Sequence, residues 1–141
     1  MDGKSQVTVP DGWGMSPQNV WGKGETLQVA DSGGAGNLMI APQPKRGDFA
    51  TFAQNVRANL VSGRVIRTSH VSEDRPLSIA GRAAVQWELT TTNNGTDAVG
   101  WMTAVAGDNS YYLVFGWTST GRAATDVETI QNIVLSFREL P

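Results

Sequence analysis

The chain has no cysteine and one histidine among 141 residues. That excludes disulfides, thiolate metal sites and cysteine nucleophiles, and it leaves no set of positions for a multi-histidine metal centre. Charge is also sparse: 17% of residues are Asp, Glu, Lys or Arg, and the net charge is −2. No run approaches the roughly 20 apolar residues that span a bilayer, and Met1-Asp2-Gly3-Lys4 lacks the apolar stretch of a signal peptide. A lipid anchor, if the protein has one, has to be supplied upstream of Asp2. What is abundant is 16 glycines, five tryptophans and a hydrophobic fraction of 40%, which together fit a globular chain with large apolar side chains to bury. A chain of this length supports one core, so a single domain over 1–141 is expected.

The few charges are unevenly laid out. Lys45, Arg46, Arg57, Arg64, Arg67, Arg75 and Arg82 face only Asp48, Glu73 and Asp74 between residues 45 and 82, while both flanks are acidic. A basic segment can steer an anionic partner, but these positions are spread instead of clustered as nucleic-acid patches are. Solvated ends of a helix and strands account for them, and no nucleic-acid partner is expected.

Hydrophobic periodicity sets the element order. Val7 and Val9 alternate with polar neighbours and Pro10-Asp11-Gly12 ends that strand. A hairpin over 26–30 and 37–41 follows, its loop at Ser32–Gly36, before Pro42 and Pro44 break the pattern. Asp48 is placed as an N-cap, and Phe49, Phe52, Ala53, Val56 and Leu60 form one helical stripe that Gly63 is placed to stop. Arg64–Val71 reads as an irregular strand ending in a polar corner at 72–76. A meander comes next, over Ala83–Thr90, Val99–Val105 and Tyr111–Trp117, with turns at Asn93-Asn94-Gly95 and Gly107-Asp108-Asn109. The third of these strands is apolar on both faces, which predicts a central position with packing on each side. Thr125 and Glu128 are spaced as a capping box ahead of the stripe Val127, Ile130, Ile133, Val134 and Phe137. The order ββαβββ(β)α predicts an α+β fold, a mostly antiparallel sheet sandwiched between helices.

Five ordered segments resemble the PsbP/DcrB-like family: Val9-Pro10-Asp11-Gly12-Trp13, the helix Phe49–Leu60, Ile79-Ala80-Gly81-Arg82-Ala83-Ala84, Tyr112-Leu113-Val114-Phe115, and Ile130–Arg138. The resemblance implies a PsbP-like α/β/α sandwich. It also implies a non-enzymatic binding or assembly role outside the cytoplasm, in the periplasm or as a membrane-anchored lipoprotein domain, with a protein partner at the cell envelope. The metal binding of the photosynthetic member is not implied, because the histidines are missing here.

Candidate chemistry is thin. His70, Glu73 and Asp74 are metal-ligand types, but residues three apart at a strand end point to opposite faces and no second histidine completes a site. Ser69 beside His70 is no triad, for the same reason of strand parity, and there is no G-x-S-x-G elbow. The loops Ser32–Gly36 and Gly22-Lys23-Gly24 lack the P-loop spacing. No catalytic residue, cofactor or metal is therefore expected. Trp13 and Trp21 sit in a glycine-rich, irregular region where a half-exposed ring suits a partner surface. The alternative is a carrier of an apolar or aromatic small molecule, with a pocket between sheet and helix lined by Trp101, Phe115 and Trp117.

Overall fold

The computed structural model describes residues 5–15, 27–32, 36–62, 68–93 and 96–140. Among these residues, ten strands and two helices follow one another as β1 (Ser5–Gln6), β2 (Trp13–Met15), β3 (Leu27–Asp31), β4 (Asn37–Gln43), α1 (Phe49–Ser62), β5 (Thr68–Val71), β6 (Arg75–Ile79), β7 (Arg82–Asn93), β8 (Thr96–Ala106), β9 (Tyr111–Ser119), α2 (Ala123–Leu135) and β10 (Arg138–Glu139). Eight of the strands form one antiparallel sheet in the order β2-β3-β4-β9-β8-β7-β5, with β6 also paired to β7. The remaining two, β1 and β10, pair with each other. No helix among the described residues is long and apolar enough to cross a membrane.

The two helices cover opposite faces of this sheet, and strand parity decides which side chains meet which helix. Ile130, Ile133 and Val134 of α2 pack with Leu38, Ile40, Val99, Trp101, Val105, Tyr112, Val114 and Phe137. Ala53, Val56 and Leu60 of α1 pack with Trp87, Leu89, Met102, Ala104 and Phe115. Each fully buried Leu, Ile, Val or Phe contributes roughly 1.5–3 kcal/mol, so the expected α+β sandwich is held by two apolar layers. The α2 layer also holds a polar pair, the buried Gln86 and the partly buried Gln131. Gln86 and Gln131 exchange amide hydrogen bonds of 2.9 and 2.8 Å, and Gln86 Nε2 donates to Thr103 Oγ1 at 2.9 Å. Leaving such an amide unpaired costs about 1–3 kcal/mol, so this contact fixes where α2 sits on β7 and β8.

Local chemistry explains most boundaries. Asp48 Oδ1 accepts from the Thr51 amide at 2.7 Å and caps α1 as expected. Gly63, read as its stop, lies outside the described residues, as does the Asn94-Gly95 turn. Four readings are corrected. Val7 and Val9 lie outside any strand, and the opening strand is the shorter β1, which pairs with β10 at the other end of the chain. Pro42 lies inside β4, opposite Tyr112 of β9, so the strand runs on through the residue expected to break it. Arg75–Ile79, read in part as a polar corner, is strand β6. It turns into β7 through Ala80 at φ +54° and Gly81 at φ +76°, the positive φ pair of a tight hairpin. Finally, Thr125 and Glu128 do not cap α2, because a 3-10 turn over Thr120–Arg122 has already started the helix.

Candidate functional site

Trp13 sits on the last strand of the large sheet among the described residues. Gly12, at φ +90°, lets the chain turn so that the Trp13 amide bonds Pro10 O at 3.2 Å. From there β2 pairs antiparallel with β3, Trp13 opposite Asp31. The indole lies half-buried over Gly36, where a Cβ would come within 2.8 Å of its Cζ2 atom. Any side chain at position 36 would displace the ring from this seat.

The strand behind Trp13 is fixed by charge. Asp31 Oδ2 accepts from the Gly36 amide at 3.1 Å and lies 3.9 Å from Arg122 Nη2. Arg122 also grips Asp126 with Nε and Nη2, both at 3.1 Å, and the buried Thr118 hydroxyl donates to Asp126 Oδ2 at 2.7 Å. The Arg122 hydrogen bond holds the Asp126 carboxyl below the usual carboxylate range, with the Thr118 hydroxyl adding to it against the opposing effect of burial. A carboxylate so engaged stays ionised at neutral pH and is poorly suited to proton transfer. This cluster ties β3, β9 and α2 together and presents Trp13 at the sheet margin. Trp21, the second candidate for this surface, lies outside the described residues.

The pocket of Trp101, Phe115 and Trp117 does not form. Trp101 stands opposite Gly116 in the β8–β9 register, and Met102 opposite Phe115. Trp101 thus shares its face with Gly116 and packs on the α2 side, while Phe115 and Trp117 stack at 5.1 Å on the α1 side. The sheet lies between them. Phe115 occupies the space above Gly100, where a Cβ would meet its ring at 2.6 Å, and Ile130 does the same above Gly116 at 2.4 Å. A groove of about 300 Å³ exists elsewhere, between Thr8–Pro10 and the Thr129, Asn132 and Ile133 side of α2.

His70 and its acidic neighbours are not brought together as a site. His70 is exposed on β5, whereas Asp74 accepts the indole N–H of Trp87 at 2.7 Å and lies 3.5 Å from Arg57. No group of three or more potential metal ligands occurs among the described residues. The loop 33–35 and the Gly22-Lys23-Gly24 segment lie outside them.

No family model matches the chain, and no curated protein matches it. Among solved structures, LpqN of Mycobacterium tuberculosis, described as involved in cell envelope biogenesis, superposes with a TM-score of 0.63 at 13% identity, over 97% of this chain and 83% of its own. The cyanobacterial PsbP protein CyanoP of Synechocystis gives 0.65 at 14%, over 99% and 88%. PA94 of Pseudomonas aeruginosa, a protein of unknown function, gives 0.66 at 15%, over 97% and 98%. Two helices on opposite faces of an antiparallel sheet, matched over nearly the whole chain, give this protein the fold of the PsbP/DcrB-like proteins.

Proposed function

We propose that this chain is a non-catalytic binding or assembly domain that works outside the cytoplasm and meets a protein partner of the cell envelope at the Trp13 margin of its sheet. The observation that carries the reading is Trp13 itself, a half-buried indole on β2, the last strand of the sheet among the described residues, seated on Gly36 beside the braced Asp31–Arg122–Asp126 cluster. Half-exposed aromatic rings on a rigid base are the side chains that anchor protein interfaces. The absence of a catalytic motif in the sequence favours binding over turnover, and so does the engagement of Asp31, Asp74 and Asp126 in hydrogen bonds that hold the fold. The address rests on the fold shared with LpqN and CyanoP.

Two measurements test this. A fusion of the natural coding sequence to alkaline phosphatase is expected to be active in its own host, and an inactive fusion overturns the address. A photo-crosslinking amino acid at position 13 is expected to give a discrete adduct in intact cells that the same group at Asn55, exposed on α1, does not give. Equal labelling from both positions, or none from position 13, overturns the surface.

A further inference from the structure

The β8–β9 turn at Gly107–Ser110 binds a carboxylate, and that carboxylate comes from the far end of the chain. The backbone amides of Asp108, Asn109 and Ser110 donate to the Glu139 carboxylate at 2.6, 3.0 and 3.3 Å. The Tyr112 hydroxyl donates to it at 2.8 Å, and Arg82 Nη2 lies 3.9 Å away. Successive amides converging in this way make an anion-binding concavity. The Glu139 side chain is 3% exposed. Burial alone would push its carboxyl up, but the Tyr112 hydroxyl and the three amides outweigh that and hold it below the usual range.

The donors do not belong to the segment they hold. Amides 108–110, Tyr112 and Arg82 are placed by the β7–β8–β9 meander, and Arg82 is itself oriented by a two-pronged bond to Asp108 at 2.6 and 2.7 Å. From the other side, Lys45 Nζ donates to the carbonyls of Gly107 and Asp108 at 3.0 and 3.2 Å and steadies the turn. Gly107 leaves room for the ligand, since a Cβ there would lie 2.6 Å from Glu139 Oε2 and 2.5 Å from the Tyr112 ring. Glu139, by contrast, arrives on β10, whose two residues pair with Ser5 and Gln6, outside the large sheet. The receptor is thus placed by the body of the fold, and its occupant rides on a two-residue strand that follows the buried Phe137. An apolar side chain at position 139 would leave the amides of Asp108, Asn109 and Ser110 without this acceptor, so the turn calls for an anionic occupant.

We propose that the Gly107–Ser110 turn is a carboxylate receptor, filled in cis by Glu139 and able to take the carboxylate of an extended acidic peptide segment in trans when β10 lifts away. The partner chemistry is what β10 displays: an extended strand with a glutamate side chain.

The test empties the receptor and refills it. In full-length protein carrying Glu139→Ala, acetate is expected to shift the amide resonances of Asp108, Asn109 and Ser110 saturably and to raise the thermal midpoint, beyond the effect of chloride at equal ionic strength. The wild type, its receptor occupied, is expected to show neither. An absent or non-saturable shift in the variant, or an equal shift in the wild type, overturns the proposal. A second arm does not depend on that variant folding. Full-length Glu139→Gln keeps the shape of the occupant but weakens its hold, and the hexapeptide of sequence 136–141 is expected to bind it at least tenfold more tightly than the same peptide with alanine in place of glutamate. Equal affinity for the two peptides, or binding of neither, overturns it.

Discussion

Gly36→Ala tests the geometry at the Trp13 margin with one methyl group. Gly36 is buried and its φ is not positive, so alanine meets no backbone strain and acts only through its Cβ. That atom would lie 2.8 and 3.0 Å from two ring carbons of Trp13 and 3.3 Å from Asp31 Oδ2, where favourable carbon contacts are about 3.5–4.0 Å. Something must move by most of an ångström. Overpacking of a closed core costs about 1–3 kcal/mol, but Trp13 is half-buried and can slide outward, which places the cost near 1 kcal/mol. The lower entropy of the unfolded alanine chain returns roughly 0.4–1 kcal/mol. The net loss is therefore expected to be at most about 1 kcal/mol, a fall in Tm of no more than ~4 °C for a chain of this size. The decisive readout is local. With 5-fluorotryptophan incorporated, the fluorine resonance of Trp13, assigned through Trp13→Phe, is expected to move toward a solvent-exposed shift while those of the buried Trp87 and Trp101 stay in place. A Trp13 resonance that does not move refutes the seating of the indole on Gly36 and, with it, the braced surface.

Gly116→Ala is expected to be more costly, about 2–3 kcal/mol in chemical denaturation, because its Cβ would lie 2.4 Å from Ile130 Cγ2 in the closed layer beneath α2. Adding Ile130→Ala, which costs about 2–5 kcal/mol alone, should give a double variant less destabilised than the sum by at least ~0.5 kcal/mol, and strict additivity would remove the contact between β9 and α2. Acid sensitivity follows from the paired carboxylates. Asp126, held down by Arg122, and Asp108, held down by the Arg82 hydrogen bond, keep lower pKa values folded than unfolded, so the unfolded chain binds more protons in acid. Their stabilisation is complete above the ordinary carboxylate range, roughly pH 4–5, and disappears as the pH falls through the depressed folded values. The stability gap between wild type and Asp126→Asn should accordingly narrow from pH 7 to pH 3, and a gap that stays constant would show that the ionised carboxylate is not what matters.

Elements with strong internal period were legible from residues alone. The alternation in β7, β8 and β9 and the stripe from Phe49 to Leu60 are dictated by which side chains must leave water, and Asp48 marks the helix start through a bond made within its own turn. Elements made by their partners were not legible. β2 and β10 have three and two residues and exist because β3 and β1 lie alongside them. The Thr125–Glu128 spacing resembles a cap in sequence, yet the chain had already entered the helix at Thr120, through a turn whose N-cap residue, Ser119, makes no side-chain cap bond. The receptor around Glu139 is the clearest omission, since its donors are mostly backbone amides some 30 residues away, and amides have no sequence signal.

The amino-acid order by itself determined the element types, the presence of two apolar helical stripes and the strand parity within each run, because each of these follows from local periodicity and burial. Only the tertiary structure decided which parities coincide. A shift of one residue in the β8–β9 register would have put Trp101 on the face of Phe115 and Trp117. Instead it meets Gly116, and a wall of sheet divides the three aromatics that looked like one pocket. The same long-range placement set Trp13 on Gly36 and brought the last charged residue of the chain into a turn that closes two strands of the meander, contacts fixed by packing and register across distances that no local pattern encodes.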